Sequence, residues 1–145
     1  KYFALIFVLV WFALFVYSSV KMNRMTSVVY RSTGWGIVLK EYKINFSTMD
    51  AEYNSYNRSL PLNKKVLLSK RQTFYIKTMC SISLMPLWRA TYNNPHVLDG
   101  DQWNITRKYN EYECMVYGSN AYPLTYVLVK IAIISVLINE TYLLR

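Results

Sequence analysis

Apolar residues concentrate at the two ends of the chain, and a polar, tyrosine-rich segment lies between them. The N-terminal run from Tyr2 to Val20 holds nineteen residues without a charge, a glycine or a proline. As a helix with a rise of about 1.5 Å per residue, this run extends about 28 Å, which matches the hydrocarbon thickness of a bilayer. A cleaved signal peptide has a shorter apolar core and ends in small residues in a pattern that Ser18 and Ser19 match poorly. The pattern predicts a retained transmembrane anchor over residues 1–21.

The middle segment, residues 22–121, alternates between apolar and polar positions in several places, which predicts a small antiparallel β-rich domain. The longest alternation covers Thr73 to Met85 and predicts a half-buried strand. A second alternation places Tyr42, Ile44 and Phe46 on one side, and residues 25–33 and 112–117 are further strand candidates. A short helix is expected near 60–70, where a proline can occupy the first helical turn. The predicted fold class is α+β.

The C-terminal stretch, residues 122–145, is apolar again but contains Lys130 and Glu140. A lone lysine near the centre of a bilayer costs about 2.5–3.5 kcal/mol. The favoured interpretation is a hydrophobic helix that packs on the domain, on partner subunits or on the membrane, and that starts near Asn120 and Pro123. The alternative is a second membrane span in which Lys130 meets an acidic partner. Either interpretation implies a partner, because so small a protein has a large apolar surface.

Basic residues outnumber acidic ones by seventeen to eight, which gives a net charge of +9 beside a mean hydropathy of +0.08. Lys64, Lys65, Lys70 and Arg71 form a cluster along the chain that predicts an interaction patch for anionic lipid headgroups or an acidic subunit. A solvated charged face is the alternative. Nucleic acid is the least favoured partner, because the anchor places the domain at a membrane.

The orientation of the domain is left open by two opposing signals. Lys21 and Arg24 flank the anchor, and the positive-inside rule would keep the domain in the cytoplasm. Four sequons argue for a glycosylating compartment. The candidate glycosylation sites are Asn45, Asn57, Asn104 and Asn139.

The two cysteines, Cys80 and Cys114, both fall on the inward side of predicted strands, which favours a disulfide. Such a bond would contribute about 3–4 kcal/mol in the loop-entropy model and would require an oxidising compartment. Two buried free thiols are the alternative. Two cysteines and one histidine cannot form a structural zinc site without acidic ligands.

Catalytic chemistry has little support in the sequence. His96 lies in a turn-rich stretch and is expected to be exposed, and Asp99 and Asp101 have the spacing of a metal-binding DxD motif but fit a tight turn better. The sequence therefore predicts no catalytic residue, no metal, no cofactor and no small-molecule substrate.

An uncharged run followed at once by Lys21 and Arg24 resembles the inner-nuclear-membrane sorting signal of baculovirus occlusion-derived virion envelope proteins. The whole plan, including Thr78-Met-Cys80-Ser-Ile-Ser, resembles the small per os infectivity factors of that envelope. The resemblance implies a non-enzymatic subunit of a multiprotein viral envelope entry complex, present at the host inner nuclear membrane during assembly. Its implied partners are the lipid bilayer and other membrane-anchored subunits. Two alternatives are a supernumerary structural subunit of an organellar membrane complex and a Golgi-type enzyme that depends on Asp99 and Asp101.

Overall fold

The computed structural model describes residues 2–34, 37–56, 62–97 and 100–142, with the side chains of 138–142 excepted. The helices are α1 (Tyr2–Asn23), α2 (Lys70–Ile82) and α3 (Tyr126–Tyr142), and a short 3-10 turn covers Met85–Leu87. The strands are β1 (Met25–Gly34), β2 (Ile37–Asn45), β3 (Asp50–Ser55), β4 (Leu62–Leu67), β5 (Thr91–Asn93), β6 (Gln102–Tyr109) and β7 (Glu113–Ser119). The α+β prediction is confirmed, with an apolar helix at the N-terminal end and another at the C-terminal end.

The described strands form one sheet in the order β4-β3-β2-β1-β6-β7-β5. Neighbouring strands are antiparallel except β5, which runs parallel to β7 over three residues. The sheet is therefore mixed, and the expectation of a purely antiparallel domain is wrong at this edge. Residues 94–112, which include β6, connect β5 to β7, and a connection of this length permits parallel pairing where a tight hairpin does not.

One face of the sheet carries the core. Tyr30 lies opposite Tyr42 on β2 and opposite Ile105 on β6, and all three side chains are buried. The alternation of Tyr42 and Ile44 that the sequence indicates is confirmed, since both are buried while Lys43 between them is exposed. Helix α3 contacts β2 and β3 on this side, and α2 lies in contact with both α1 and α3.

Two segments of the middle region differ in secondary structure from the prediction: the predicted helix is a strand, and the predicted strand is a helix. Residues from Thr73 to Ile82 belong to α2 and not to a strand, and Leu62–Leu67 form β4 and not a helix. In α2, Ile76 and Cys80 are both buried and lie four residues apart. A spacing of four places two residues on one face of a helix, and it also places them on one face of a strand. In β4, Val66 lies opposite Ala51 of β3, so pairing with the sheet outweighs the helix signal from the nearby proline.

A capping box begins α2 and explains why a helix forms where the alternation favours a strand. The Ser69 hydroxyl accepts a hydrogen bond from the Gln72 amide at 3.2 Å, and the Gln72 side chain accepts one from the Ser69 amide at 2.8 Å. Two amide groups that the first turn would leave unpaired are thereby satisfied.

We expect the Ser69→Ala substitution to lower the free energy of unfolding by about 1 kcal/mol, because it removes this cap. Chemical denaturation of the full chain in a mild detergent measures the change. Ser47→Ala, in an exposed turn, is the matched control and should have little effect. Equal losses in the two variants would contradict a capping role for Ser69.

Helix α3 is the hydrophobic C-terminal helix that the sequence predicts, but it begins later than expected. Asn120 has a positive φ of 52° and does not cap the helix, and the Tyr126 amide donates to the Pro123 carbonyl in a turn that precedes α3. The buried side of α3 includes Val129 and Ile133, which belong to the same core as the sheet. Packing on the domain is therefore the interpretation that the structure supports for this segment.

Candidate membrane anchor and interaction surfaces

Helix α1 projects from the domain along most of its length. Among the described residues it is the one helix long and apolar enough to cross a membrane. Its 22 residues extend about 33 Å, and every side chain from Tyr2 to Leu14 is exposed. An exposed apolar surface of this size is rare on a soluble monomer.

The last two turns of α1 join the domain directly. Ser18 and Met22 are fully buried and Phe15 is half-buried, and their spacing of three and four residues places them on one face of the helix. This base of α1 contacts α2 and the 3-10 turn. One residue, Arg24, separates α1 from β1, so the domain follows the helix without a linker.

The two basic residues that flank the apolar run lie at the domain end of α1. Lys21 occupies the last turn, with its ammonium 5.7 Å from the centre of the Tyr17 ring. Arg24 is exposed and its amide donates to the Lys21 carbonyl. A charge paired with an amphipathic tyrosine is typical of the level at which lipid headgroups meet a helix.

The four residues of the predicted basic patch do not share one face. Adjacent residues of a strand point to opposite sides, and Lys64 donates to the Leu137 carbonyl of α3 on the helix side. Lys65 lies on the open side, 3.1 Å from Glu52 and 3.3 Å from Asp50. Lys70 and Arg71 are exposed in the first turn of α2. Because β4 is a strand, Lys64 and Lys65 lie on opposite faces of the sheet, and a role for the four residues in binding stays a prediction.

The open face of the sheet carries a ladder of opposite charges that the sequence analysis missed. Arg31 and Glu41 form an ion pair at 2.5 Å across β1 and β2, and Lys43 lies 3.9 Å from Glu52 across β2 and β3. Lys65 on the edge strand β4 extends the ladder through its contacts with Asp50 and Glu52 of β3. The available signal was the pair of opposite charges two positions apart on β2, Glu41 and Lys43, but their partners on β1 and β3 could not be identified without the strand pairing.

Lys130 is half-buried on α3, with its ammonium 5.8 Å from the centre of the Tyr126 ring. Tyr126 belongs to an aromatic cluster in the core, and its hydroxyl lies 2.8 Å from that of Tyr30. Burial is the main cause that raises the pKa of the Tyr126 hydroxyl. The cation is therefore placed against an aromatic face at the edge of the domain.

Both cysteines are free thiols, so the structure does not contain the disulfide that the sequence favours. The premise of that prediction is also wrong, because Cys80 lies on α2 and only Cys114 lies on a strand. Cys80 is fully buried, and this burial raises the pKa of its thiol to about 12. Cys114 is half-buried on β7 opposite Arg107.

We expect one fast alkylation when the native full chain is treated with N-ethylmaleimide at pH 8. Cys114 is partly accessible and should react, whereas Cys80 is sheltered and stays protonated well above pH 8. Mass spectrometry should count one adduct before denaturation and two after it, without any reductant. No adduct after denaturation without reductant would show a disulfide and contradict the structure.

The four sequons fall in different settings. Asn45 ends β2, where its side-chain oxygen accepts from the Ser47 amide at 3.0 Å. Asn104 lies within β6 on the open face, and its side-chain oxygen is buried without a hydrogen-bond partner. Asn57 lies outside the described residues, and Asn139 lies on α3 with its side chain outside them.

Of the residues considered for catalysis, Asp101 forms a side-chain hydrogen bond within the domain. The carboxylate of Asp101 accepts from the Tyr122 hydroxyl at 2.8 Å, and burial together with this bond raises the pKa of Tyr122 to about 12. His96 is exposed, and Asp99 lies outside the described residues. No group of three or more histidine, cysteine or acidic side chains within the described ranges is arranged to hold a metal ion.

The chain matches no protein-family model and no curated protein sequence.

Proposed function

We propose that the protein is a non-enzymatic, membrane-anchored structural subunit of a multiprotein membrane complex. The observation that carries the proposal is α1, whose residues from Tyr2 to Leu14 are exposed and apolar while its base is built into the core of the domain. An anchor held rigidly by its domain fixes that domain at the bilayer surface, as a structural subunit requires.

A second apolar surface supports a role in assembly. Val127 and Ile131 are exposed four residues apart, so they share the side of α3 that points away from the core, and Leu124 is exposed in the turn before the helix. A stripe of this kind is suited to a neighbouring helix of another subunit. The ion-paired open face of the sheet offers a polar surface for further protein contacts.

The specific assembly we propose is a viral envelope entry complex of the per os infectivity type. Support comes from the order of the parts: an uncharged helix, the basic residues Lys21 and Arg24, and then the domain without a linker. In such a complex the protein would mediate assembly and host-cell entry, in the virion envelope and earlier in the host inner nuclear membrane.

A supernumerary subunit of an organellar membrane complex is the second candidate. The free state of Cys80 and Cys114 favours it, because a reducing compartment keeps thiols unpaired. Under this candidate Lys130 would be covered by a partner chain.

Alkaline carbonate extraction followed by flotation in a density gradient tests the proposal on the full chain. We expect the protein to stay in the floating membrane fraction, because α1 is held by acyl chains and not by charge. Release into the soluble fraction by carbonate would contradict an anchored subunit of either kind.

A further inference from the structure

An apolar groove runs between α1 and the C-terminal end of α2. Its volume is about 580 Å³, and among the described residues Ile82 is the one that lines it from outside α1. The lining residues are Phe7, Val8, Trp11, Phe12, Phe15 and Ile82. Ile82 is the last residue of α2 and is 38% exposed. The groove therefore joins the projecting part of α1 to the domain itself.

If α1 spans a bilayer, the charged residues at its base determine the level of the groove relative to the lipid headgroups. Lys21 and Arg24 favour the headgroup layer, which is about 5–8 Å thick on each side of the hydrocarbon. The α1 residues that line the groove end at Phe15, six residues before Lys21, which corresponds to about 9 Å along the helix. Ile82 flanks these residues, so it lies beyond the headgroups and at the level of the acyl chains.

The chain that follows Ile82 has the composition of a segment that contacts lipid. Eleven consecutive residues between Lys77 and Arg89 carry no charge. Leu87 is 37% exposed in the 3-10 turn, which contacts both α1 and α2. The turn that carries Leu87 thus packs against the two helices that form the groove.

The backbone between Ile82 and Trp88 is extensively paired within the protein. The amides of Ser83, Leu84, Leu87 and Trp88 each donate to a carbonyl between Met79 and Met85. The Ser83 carbonyl accepts from the Trp88 indole at 3.0 Å and from the Thr125 hydroxyl at 2.6 Å. Hydrocarbon offers no partner to a polar backbone group, so only a segment satisfied internally can lie at this depth.

We propose that Ile82 and the following turn to Leu87 form a lipid-contacting shoulder, which inserts the domain into the acyl-chain layer beside α1. The occupant of the groove is the hydrocarbon of the bilayer. This inference rests on the proposed membrane anchor and adds a second point of insertion to it. A single spanning helix leaves the domain free to rotate about the helix axis. The shoulder would fix this rotation, because it is a second point of insertion.

Site-directed fluorescence on the reconstituted full chain tests the shoulder. A cysteine is introduced by Ile82→Cys, or separately by Leu87→Cys, in a Cys114→Ser background, and it is labelled with the environment-sensitive dye NBD. Cys80 is kept, because it is fully buried. Lys43→Cys, at the centre of the open face of the sheet, is the matched control. The vesicles contain phosphatidylcholine and phosphatidylglycerol with a spin-labelled lipid.

We expect the dye at positions 82 and 87 to be quenched by the lipid spin label and to be at least fivefold less quenched by aqueous iodide than the dye at position 43. Iodide quenching at 82 and 87 equal to that at 43, on protein that floats with the vesicles, would overturn the shoulder and leave the anchor intact. Protein that fails to float with the vesicles would overturn the anchor and the shoulder together.

Discussion

Replacing Gly118 with alanine is expected to lower the free energy of unfolding by about 3 kcal/mol, at the upper end of the usual cost of overpacking a core. Gly118 lies opposite Trp103, and a Cβ at this position would approach the indole to 2.0 Å. The indole is fully buried and cannot move aside, since its nitrogen donates to the Ala121 carbonyl and its ring packs on Tyr126. Chemical denaturation of the full chain in a mild detergent, followed by tryptophan fluorescence, measures the loss.

A double-mutant cycle separates this contact from a general sensitivity of β7. Trp103→Leu alone should also destabilise the domain, because it leaves a cavity among Trp88, Tyr92 and Tyr122. In the Trp103→Leu background, Gly118→Ala should cost little, since the clashing ring is gone. Additive losses in the double variant would show that the two residues are independent and would contradict direct packing of Trp103 on Gly118.

A pair of aspartates in α1, Leu9→Asp with Val10→Asp, is expected to remove the protein from membranes. Each charge near the centre of a spanning helix costs about 2.5–3.5 kcal/mol, so the pair costs about 5–7 kcal/mol. Both side chains are more than half exposed and neither lines the groove, so the domain should keep its fold. The measurement is the fraction that floats with membranes after carbonate treatment, beside the near-ultraviolet circular dichroism of the domain.

The matched control exchanges the two residues, Leu9→Val with Val10→Leu, which preserves the composition and length of the helix. This variant should float as the unmodified chain does. Flotation of the aspartate pair to the same extent as the control would show that α1 does not hold the protein in the bilayer.

The apolar ends of the chain could be predicted from the sequence because each depends on local composition. A run of nineteen uncharged, mostly apolar residues is typical of a membrane-spanning helix, and α1 extends over it from Tyr2 through Asn23. The strand containing Tyr42 and Ile44 was equally predictable, since one half-buried face of a sheet produces its alternation. The apolar character of α3 was also predictable, but the residue at which the helix begins was not.

The middle of the chain could not be predicted to the same degree because two periodicities fit the same residues. Ile76 and Cys80 satisfy a strand of period two and a helix of period 3.6, and the Ser69 cap decided the outcome in favour of the helix. That difference also moved Cys80 away from the strand position on which the disulfide prediction depended. The predicted basic patch also depended on the secondary structure of its segment. Lys64 and Lys65 are neighbours in sequence, but they lie on opposite faces of the sheet because β4 pairs with β3.

The most direct test of a membrane-anchored subunit is the mass and composition of the protein after gentle detergent extraction from its native membrane. The full chain, extracted in digitonin and separated by native electrophoresis and size exclusion, should migrate with other membrane chains in fixed stoichiometry. The aspartate pair at positions 9 and 10 should be missing from that complex. A monodisperse single chain of 17.2 kDa in a detergent micelle, without other chains, would contradict the account.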